Sequence, residues 1–232
     1  MSAPKPYVVR TGLDGILEGL QEGDTFPPER ELAARFGVAR ETVRQAVHEL
    51  LVEGRIERRG RGTVVSRPKL VQPLSLKSYT EGALSMGRIP GRLLVTWENV
   101  TVDAEIAVAL GVPPTNRAMH LERVLLADGV RIGLESTYLP LHRFSDLADD
   151  FDPTTSLYAA IRAQGVVFGS ATERIETVLP SPREATLLES TVAMPMLLLN
   201  RRSVDTDGIP IEVVRALYRG DRIAFEATLT DR

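Results

Sequence analysis

The 232-residue sequence contains no cysteine, three histidines and one tryptophan. Without cysteine the chain has no disulfide, no thiolate nucleophile and no cysteine-ligated zinc. His48, His120 and His142 are far apart in sequence and match no metal-ligand spacing, so we expect surface or packing roles for them. These absences argue against metal and thiol chemistry.

Long apolar runs are also missing. The N-terminus has no apolar segment of the kind that a secretory signal contains. The longest apolar run, residues 193 to 199, is far too short to cross a bilayer and includes a proline. Hydrophobic and charged residues make up 43% and 25% of the chain, ordinary values for a globular protein. The sequence therefore predicts a soluble, cytoplasmic protein without membrane contact, built from one large domain or two smaller ones.

Positive charge is concentrated near the N-terminus, although the formal net charge is −3. Residues 26 to 69 contain 10 Lys and Arg against 6 Asp and Glu, whereas residues 71 to 232 contain 16 against 21. A basic head on an acidic body is typical of a DNA-binding module joined to another domain. Charge alone is a weak indication, so the local sequence pattern has to support it.

Three helical patterns occupy the head, at residues 7 to 20, 28 to 36 and 40 to 53. Gly37 ends the second pattern. In the third, one face is apolar and the opposite face is polar, at about 100° per residue. The apolar face contains Val43, Ala46, Val47, Leu50 and Leu51, and the polar face contains Glu41, Arg44, Gln45 and His48. Two short helices joined by a turn predict a helix-turn-helix, whose second helix can enter the major groove.

Residues 54 to 67 alternate polar and apolar side chains and contain a glycine-rich turn. This pattern predicts a two-stranded wing with Arg58, Arg59 and Arg61 near its tip. The plainer interpretation is a solvated helix followed by a surface hairpin. The ordered set of two helices, a basic helix and an Arg-Gly wing is much less common by accident.

The segment PPERELAARFGVARETVRQAVHELLVEGRIERRGRGTVV resembles the winged helix-turn-helix of GntR-family bacterial transcription regulators, and the resemblance covers residues 7 to 66. It implies that the third helix meets a DNA operator and that the wing enters the minor groove. An arginine can pair bidentately with guanine, with ~1–3 kcal/mol of discrimination. The residues implied in DNA binding are Arg30, Arg40, Thr42, Arg44, Gln45, Arg59, Gly60, Arg61 and Gly62.

Ala39 departs from the pattern of the family, which usually has a serine just before the first arginine of the third helix. A serine there would cap the helix and contact a phosphate, and losing a cap costs about 1 kcal/mol. The departure therefore puts one contact in question and leaves the fold unchanged.

The remaining residues predict a linker followed by an α+β domain. Residues 67 to 73 contain two prolines and no periodicity, which indicates a linker. Beyond it, strand-like and helix-like runs alternate, with a hairpin turn at Asp128 and Gly129 and a helix capped by Thr154 or Thr155. We therefore predict a DNA-binding domain at 1–66, a linker at 67–73 and an antiparallel-sheet domain at 74–232.

Residues from about 73 to 230 resemble the UTRA effector-binding domain of the HutC-type branch of GntR regulators, because of their SYT, TSLY and YRGDR segments. This fold is similar to that of chorismate lyase. Within the branch the sequence most resembles the amino-sugar regulators of the NagR and DasR type. Their effectors are phosphorylated amino sugars, so N-acetylglucosamine-6-phosphate or glucosamine-6-phosphate is the implied effector, with no other cofactor.

The resemblance also implies an effector pocket. Its residues in this chain are Ser78, Thr80, Arg123, Glu135, Ser156, Tyr158, Glu212 and Tyr218. Leu125 replaces the second arginine of the family's Arg-x-Arg strand, which counts against a phosphosugar because Arg–phosphate pairs are charge-assisted and often bidentate. Arg131 would either substitute for it or be an exposed strand charge, which we favour. The plainer interpretation of Glu135 and Glu212 is a surface salt bridge.

Together these features predict a homodimeric transcription regulator, most simply a repressor, that binds a palindromic double-stranded DNA operator and responds to a small molecule. One alternative is an enzyme of chorismate-lyase-like fold that acts on a small anion, although the sequence shows no activated nucleophile, metal cluster or phosphate-binding loop. Another is a structural DNA-binding protein, which would need no polar pocket.

Overall fold

The computed structural model describes residues 4–113 and 117–229. The described chain divides into two compact units. The first contains the residues up to Lys69 together with Gly220–Arg222, and the second contains the rest. Each unit has its own apolar core. The two ends of the predicted domains, residues 1–3 and 230–232, lie outside the described residues.

The first unit is a winged helix-turn-helix, as the sequence predicts. Its elements are α1 (Lys5–Glu18), α2 (Glu29–Phe36), α3 (Arg40–Val52), β1 (Ile56–Arg59) and β2 (Gly62–Val65). The core includes Leu13, Phe26, Leu32 and Leu50, all at most 2% exposed. α3 buries Val43, Ala46, Val47 and Leu50 on one face, so four of the five predicted apolar positions are fully inside.

The turn between α2 and α3 follows from local chemistry. Gly37 adopts a left-handed conformation at φ 63° and ends α2, which a residue without a β-carbon does at little cost. Ala39 then precedes α3 in an extended conformation, and its side chain provides no hydrogen bond to the helix. The N-terminus of α3 is therefore uncapped by any side chain.

The second unit is an α+β domain, again as predicted. Its described helices are α4 (Tyr79–Ser85), α5 (Ala104–Leu110), α6 (Ser145–Asp150), α7 (Leu157–Ala163) and α8 (Pro182–Leu187). Its described strands are β3 (Leu70–Pro73), β4 (Pro90–Thr101), β5 (Arg117–Ala127), β6 (Val130–Pro140), β7 (Phe168–Val178), β8 (Met196–Asp205), β9 (Pro210–Arg219) and β10 (Ile223–Glu226).

Six strands form one antiparallel sheet in the order β4-β5-β6-β9-β8-β7. The predicted hairpin turn between β5 and β6 is present, with Asp128 and Gly129 both at positive φ. One face of the sheet carries Val124, Leu134 and Leu217, which form a core with residues near α8. The opposite face carries Arg123 and Glu135, one residue along each strand, because side chains alternate between the two faces.

Two local expectations are wrong. Leu70–Pro73, predicted as part of the linker, form β3, which pairs in parallel with β10 at the far end of the chain. Its Leu70 is buried, so the strand is held by a long-range contact that no local pattern reveals. The cap of α7 is Ser156 and not Thr154 or Thr155. No described helix is long and apolar enough to cross a membrane.

Candidate functional site

The first half of α3 presents polar side chains outwards. Its exposed predicted residues are Arg40, Arg44 and Gln45, while Thr42 is partly buried. Arg40 lies 3.8 Å from the carboxylate of Glu29, and Arg44 pairs with Glu41. The two arginine side chains are 68% and 62% exposed, so each ion pair contributes roughly 0–1 kcal/mol. Both guanidinium groups can therefore exchange their carboxylate for DNA at little cost.

The wing ends in a tight turn between Arg59 and Gly62, which are paired across β1 and β2. Gly60, inside that turn, has a φ of 59°, in the left-handed region that favours glycine. Arg59 donates a hydrogen bond of 2.8 Å to Glu57 on the same strand. Arg61 is exposed and forms no hydrogen bond or ion pair with the described residues.

Arg30 lies in the first turn of α2 and is exposed. Within the described part of the chain it has no hydrogen-bond or ion-pair partner. The nine residues implied in DNA binding thus belong to α2, α3 and the wing of one unit, and all but Thr42 are exposed. The guanidinium groups of this surface have no ion pair among the described residues or only a weak, exposed one. They are therefore available to contact phosphates and bases.

The second unit contains a cavity of about 40 Å³ on the Arg123 face of the sheet, closed by the starts of α4 and α7. Seven of the eight predicted effector residues line it: Ser78, Arg123, Glu135, Ser156, Tyr158, Glu212 and Tyr218. Thr80 is outside the lining, but its hydroxyl oxygen accepts a 2.6 Å hydrogen bond from Arg92, which does line the cavity. Positions spread over 140 residues of sequence therefore meet at one place.

Arg123 is almost completely buried in the wall of this cavity. Its Nη2 donates to Oε1 of Glu135, its register partner on β6, at 2.7 Å. Its Nη1 donates to the carbonyl oxygens of Thr155 at 2.9 Å and Pro153 at 3.2 Å. Its Nε is buried without a partner. Glu135 therefore forms an ion pair in a cavity wall, and not the surface salt bridge of the plainer interpretation.

Glu212 is fully buried on the same wall. Its Oε1 accepts hydrogen bonds from Ser203, at 2.8 Å, and from the hydroxyl of Tyr158. Its Oε2 has no partner. Burial raises the pKa of Glu212, and burial together with the charge of Glu212 raises the pKa of Tyr158. Arg201 donates to the same tyrosine hydroxyl at 3.0 Å, so a connected polar network of Glu212, Tyr158 and Arg201 lines the cavity.

Ser78 and Ser156 are helix caps as well as cavity residues. Ser78 forms a reciprocal capping box with Glu81, in which the Ser78 hydroxyl accepts from the Glu81 backbone at 3.1 Å. The backbone N–H of Ser78 and the guanidinium of Arg162 lower the pKa of Glu81 to about 2. Ser156 accepts from the backbone of α7. Each hydroxyl has one hydrogen left to donate.

Tyr218 is buried beside Phe225, in an edge-to-face contact with ring centroids 5.2 Å apart. Burial raises its pKa, so its hydroxyl stays protonated. Among the described residues that hydroxyl has no hydrogen-bond partner. It is therefore a donor available to a molecule in the cavity.

Leu125 and Arg131 do not line the cavity. Leu125 is fully buried in the apolar core of the sheet. Arg131 donates to the carbonyl oxygen of Leu187 at 2.7 Å and pairs with Glu189, beside α8 on the other face. Arg131 therefore does not substitute for the missing arginine. It is a charged strand residue outside the cavity, the alternative that we favoured.

The sequence pattern did not predict three cationic residues of the cavity: Lys77, Arg92 and Arg201. Arg92 lies on β4 and Arg201 on β8, on either side of the strands that contain Arg123 and Glu135. No motif marks them. The available signal was an arginine inside an otherwise apolar strand pattern, at GRLLVTW and LLLNRR.

Two sequence families match this chain. Residues 14–65 match the family described as bacterial regulatory proteins of the gntR family, and residues 85–224 match the UTRA domain. The first match covers the helix-turn-helix and wing, and the second covers most of the sheet domain with its cavity.

Individual proteins are similar over nearly the whole length. The HTH-type transcriptional repressor PhnF of Mycolicibacterium smegmatis is 52% identical over 225 residues, 97% of this chain and 92% of that protein. The HTH-type transcriptional repressor NagR of Bacillus subtilis is 34% identical over 209 residues, 89% of this chain and 86% of that protein. This structure superposes on the crystal structure of PhnF from Mycobacterium smegmatis with a TM-score of 0.72. The match covers 97% of this chain and 100% of that chain.

Proposed function

We propose that this chain, which belongs to the GntR family of bacterial regulatory proteins and carries a UTRA domain, is a repressor controlled by a small anionic metabolite. In this proposal a homodimer binds a palindromic operator in the cytoplasm and releases it when the metabolite occupies the cavity of the second unit. The named relatives at 52% and 34% identity are transcriptional repressors, so the chain is a regulator and not an enzyme.

The observation that carries the proposal is the division of α3 into a buried and an exposed face. Val43, Val47 and Leu50 anchor the helix in the core, while Arg40 and Arg44 stay exposed near its N-terminus. A recognition helix contacts base edges with its N-terminal residues. Arg44 is one turn beyond Arg40, so both arginines can reach the same groove.

The homodimer supplies a second DNA-binding head, which binds the second half-site of the operator. Two identical heads related by a two-fold axis match a palindrome when they lie about one DNA turn apart, ~34 Å, or a multiple of it. Specific binding then depends on both heads engaging at once, since one half-site alone supplies only part of the binding free energy. A change that prevents one head from engaging is enough to release the operator.

The cavity supplies the control. It joins cationic groups from Arg92, Arg123 and Arg201 to hydroxyl donors, a set that suits a phosphorylated amino sugar, the effector that the resemblance implies. By linkage, the effector weakens operator binding only by the ratio of its affinities for the DNA-free and DNA-bound states. The effector must therefore favour the DNA-free state to act as an inducer.

A gel-shift assay with the DNA upstream of the protein's own gene tests the proposal. We expect a discrete complex that survives physiological salt, competition by the unlabelled palindrome, and loss of the complex on adding glucosamine-6-phosphate or N-acetylglucosamine-6-phosphate. A shuffled fragment of equal length is the control. Equal binding to the shuffled fragment would contradict the proposal and favour a structural DNA-binding protein, because sequence-independent binding rests on phosphate contacts alone.

A further inference from the structure

The cavity holds more positive than negative charge close to its wall. Its cationic residues are Lys77, Arg92, Arg123 and Arg201, and its carboxylates are Glu135 and Glu212. Arg123 is paired with Glu135, and Arg201 is paired with Glu173, which lies outside the lining. Arg92 has no ion-pair partner among the described residues. One guanidinium of the cavity is therefore without a carboxylate.

The surroundings of Arg92 compensate its charge incompletely. Its Nη2 donates to the hydroxyl of Thr80 at 2.6 Å, and its guanidinium carbon lies 5.6 Å from the ring centre of Tyr79. Its Nε is buried without a hydrogen-bond partner, as is the Nε of Arg123. A partly buried charge that lacks a counter-charge is unfavourable, and an anionic ligand would supply the missing charge.

Arg92 and Arg123 also act on one another. Burial first, and then the positive charge of Arg123, lower the pKa of Arg92. Two guanidinium groups that repel one another at a partly buried site are stabilised by an anion placed between them, because the Coulomb interaction is stronger there than in bulk water. The two cavity Nε–H groups that are buried without a hydrogen-bond partner both belong to this pair.

The sheet register explains how Arg92 comes to this position. Arg92 on β4 lies directly opposite Leu125 on β5, and opposite residues of an antiparallel pair project from the same face. Leu125 occupies the place of the second arginine of the Arg-x-Arg pattern. The neighbouring strand thus brings a guanidinium to the face on which Leu125 has none.

We propose that Arg92 and Arg123 together clamp a tetrahedral phosphorus oxyanion, a phosphate ester or a phosphonate, and that Arg92 is the residue that selects this group in the effector. The clamp rests on the proposed effector site and specifies its chemistry. Paired arginines suit this group because each can donate two hydrogen bonds to a planar face of three oxygens. A neutral sugar or a monocarboxylate offers no such face.

Calorimetric titration and thermal shift with four probes test the clamp. The probes are inorganic phosphate, methylphosphonate, glucosamine-6-phosphate and unphosphorylated glucosamine, which separate a free oxyanion from an ester. We expect the wild-type protein to bind at least one of the three phosphorus compounds and not glucosamine. Absence of binding by all three at millimolar concentration would overturn the inference.

Arg92→Gln is the diagnostic variant. Removing a charge-assisted hydrogen bond costs ~1.5–3 kcal/mol, so we expect affinity for the bound phosphorus compound to fall roughly 10- to 100-fold. Arg174→Gln is the matched control, because Arg174 is 72% exposed on β7 and does not line the cavity. Wild-type affinity in Arg92→Gln would overturn the role of Arg92.

An exchange of the two positions tests the register argument. The double variant Arg92→Leu with Leu125→Arg moves the guanidinium from β4 to the opposite position on β5. The pair still consists of one arginine and one leucine. We expect tighter binding of the phosphorus compound than in Arg92→Leu alone. Arg92→Lys, which keeps the charge on a side chain of similar length, provides a second comparison and should bind between wild type and Arg92→Gln.

Operator binding separates failure of the clamp from failure of the proposed function. If the wild-type protein binds its operator but Arg92→Gln binds phosphorus compounds as the wild type does, the clamp is wrong and the repressor stands. If the wild-type protein shows no preference for its operator, the proposed function fails whatever the cavity binds.

Discussion

Tyr158 donates its hydroxyl hydrogen to Glu212, whose other carboxylate oxygen is buried without a partner. The tyrosine comes from α7 and the glutamate from β9, so this contact ties the helix that closes the cavity to the central sheet. Arg201 donates to the same hydroxyl. The protonation state of Glu212 therefore affects both the stability of this unit and the wall of the cavity.

We predict that the free energy of unfolding falls as pH rises above the ordinary range of a glutamate. Burial raises the pKa of Glu212 above its unfolded value, so between the two values the native state binds more protons than the unfolded state. The stabilising proton is fully present below the unfolded pKa and is lost as pH rises through the folded pKa. Urea unfolding at a series of pH values measures the slope.

Glu212→Gln keeps an acceptor for Ser203 and Tyr158 and removes the titration. We expect its unfolding free energy to exceed that of the wild type at neutral pH and its slope in this window to be flatter. Glu98→Gln, an exposed change on β4, is the control. The lowered pKa of Glu81, about 2, affects the unfolding free energy at lower pH, where stability is lost as pH falls through that value. A slope unchanged in Glu212→Gln would refute the assignment.

Local sequence pattern was enough to predict the elements that local chemistry determines. The apolar stripe of α3, the Gly37 stop, the turn at Asp128 and Gly129 and the alternation of the long strands all follow from neighbouring residues. The α+β class and its antiparallel sheet follow from these elements in turn.

Long-range pairing was not predictable in the same way. β3 and β10 pair although Leu70 and its partner Ile223 lie at opposite ends of this unit's sequence, and each is a four-residue strand with no periodicity of its own. Arg92 and Arg201 join the cavity because of the strand register, which includes an irregularity between Leu94 and Thr96. A shift of one residue would turn either arginine to the opposite face, so the sequence of one strand alone cannot place it.

A serine at position 39 should stabilise the first unit. Ala39 is the N-cap residue of α3 and has the extended backbone that a capping side chain requires, at φ −64° and ψ 145°. We expect Ala39→Ser to raise the unfolding free energy by about 1 kcal/mol. Ala34→Ser, an exposed change inside α2, should lower it slightly, because serine is a poorer helix former than alanine. Urea denaturation of both variants measures these changes, and an Ala39→Ser protein no more stable than the wild type would contradict the prediction.

The wing turn offers a matched pair of glycines. Gly60 has φ at 59°, and no atom lies within 4 Å of an added β-carbon, so Gly60→Ala meets backbone strain without a clash. That strain is about 1–2 kcal/mol for a residue other than glycine. Gly62 has no positive φ, and its nearest contact would be a carbonyl oxygen at 3.8 Å. We expect operator affinity to fall more in Gly60→Ala than in Gly62→Ala, as measured by gel shift; equal losses would show that the left-handed turn is unimportant.

Arg44→Ala tests the recognition helix most directly. Arg44 is 62% exposed and its ion pair with Glu41 lies on the surface, so the substitution should leave the melting temperature nearly unchanged. If Arg44 pairs with a base in the operator, its loss should reduce specific affinity roughly 10- to 100-fold at each half-site, the equivalent of ~1–3 kcal/mol. Binding to shuffled DNA should fall much less, because the remaining cations still meet phosphates. Arg174→Ala, on the second unit, is the charge-matched control for the gel shift. An Arg44→Ala protein with full operator affinity would mean that α3 does not read the operator through this arginine.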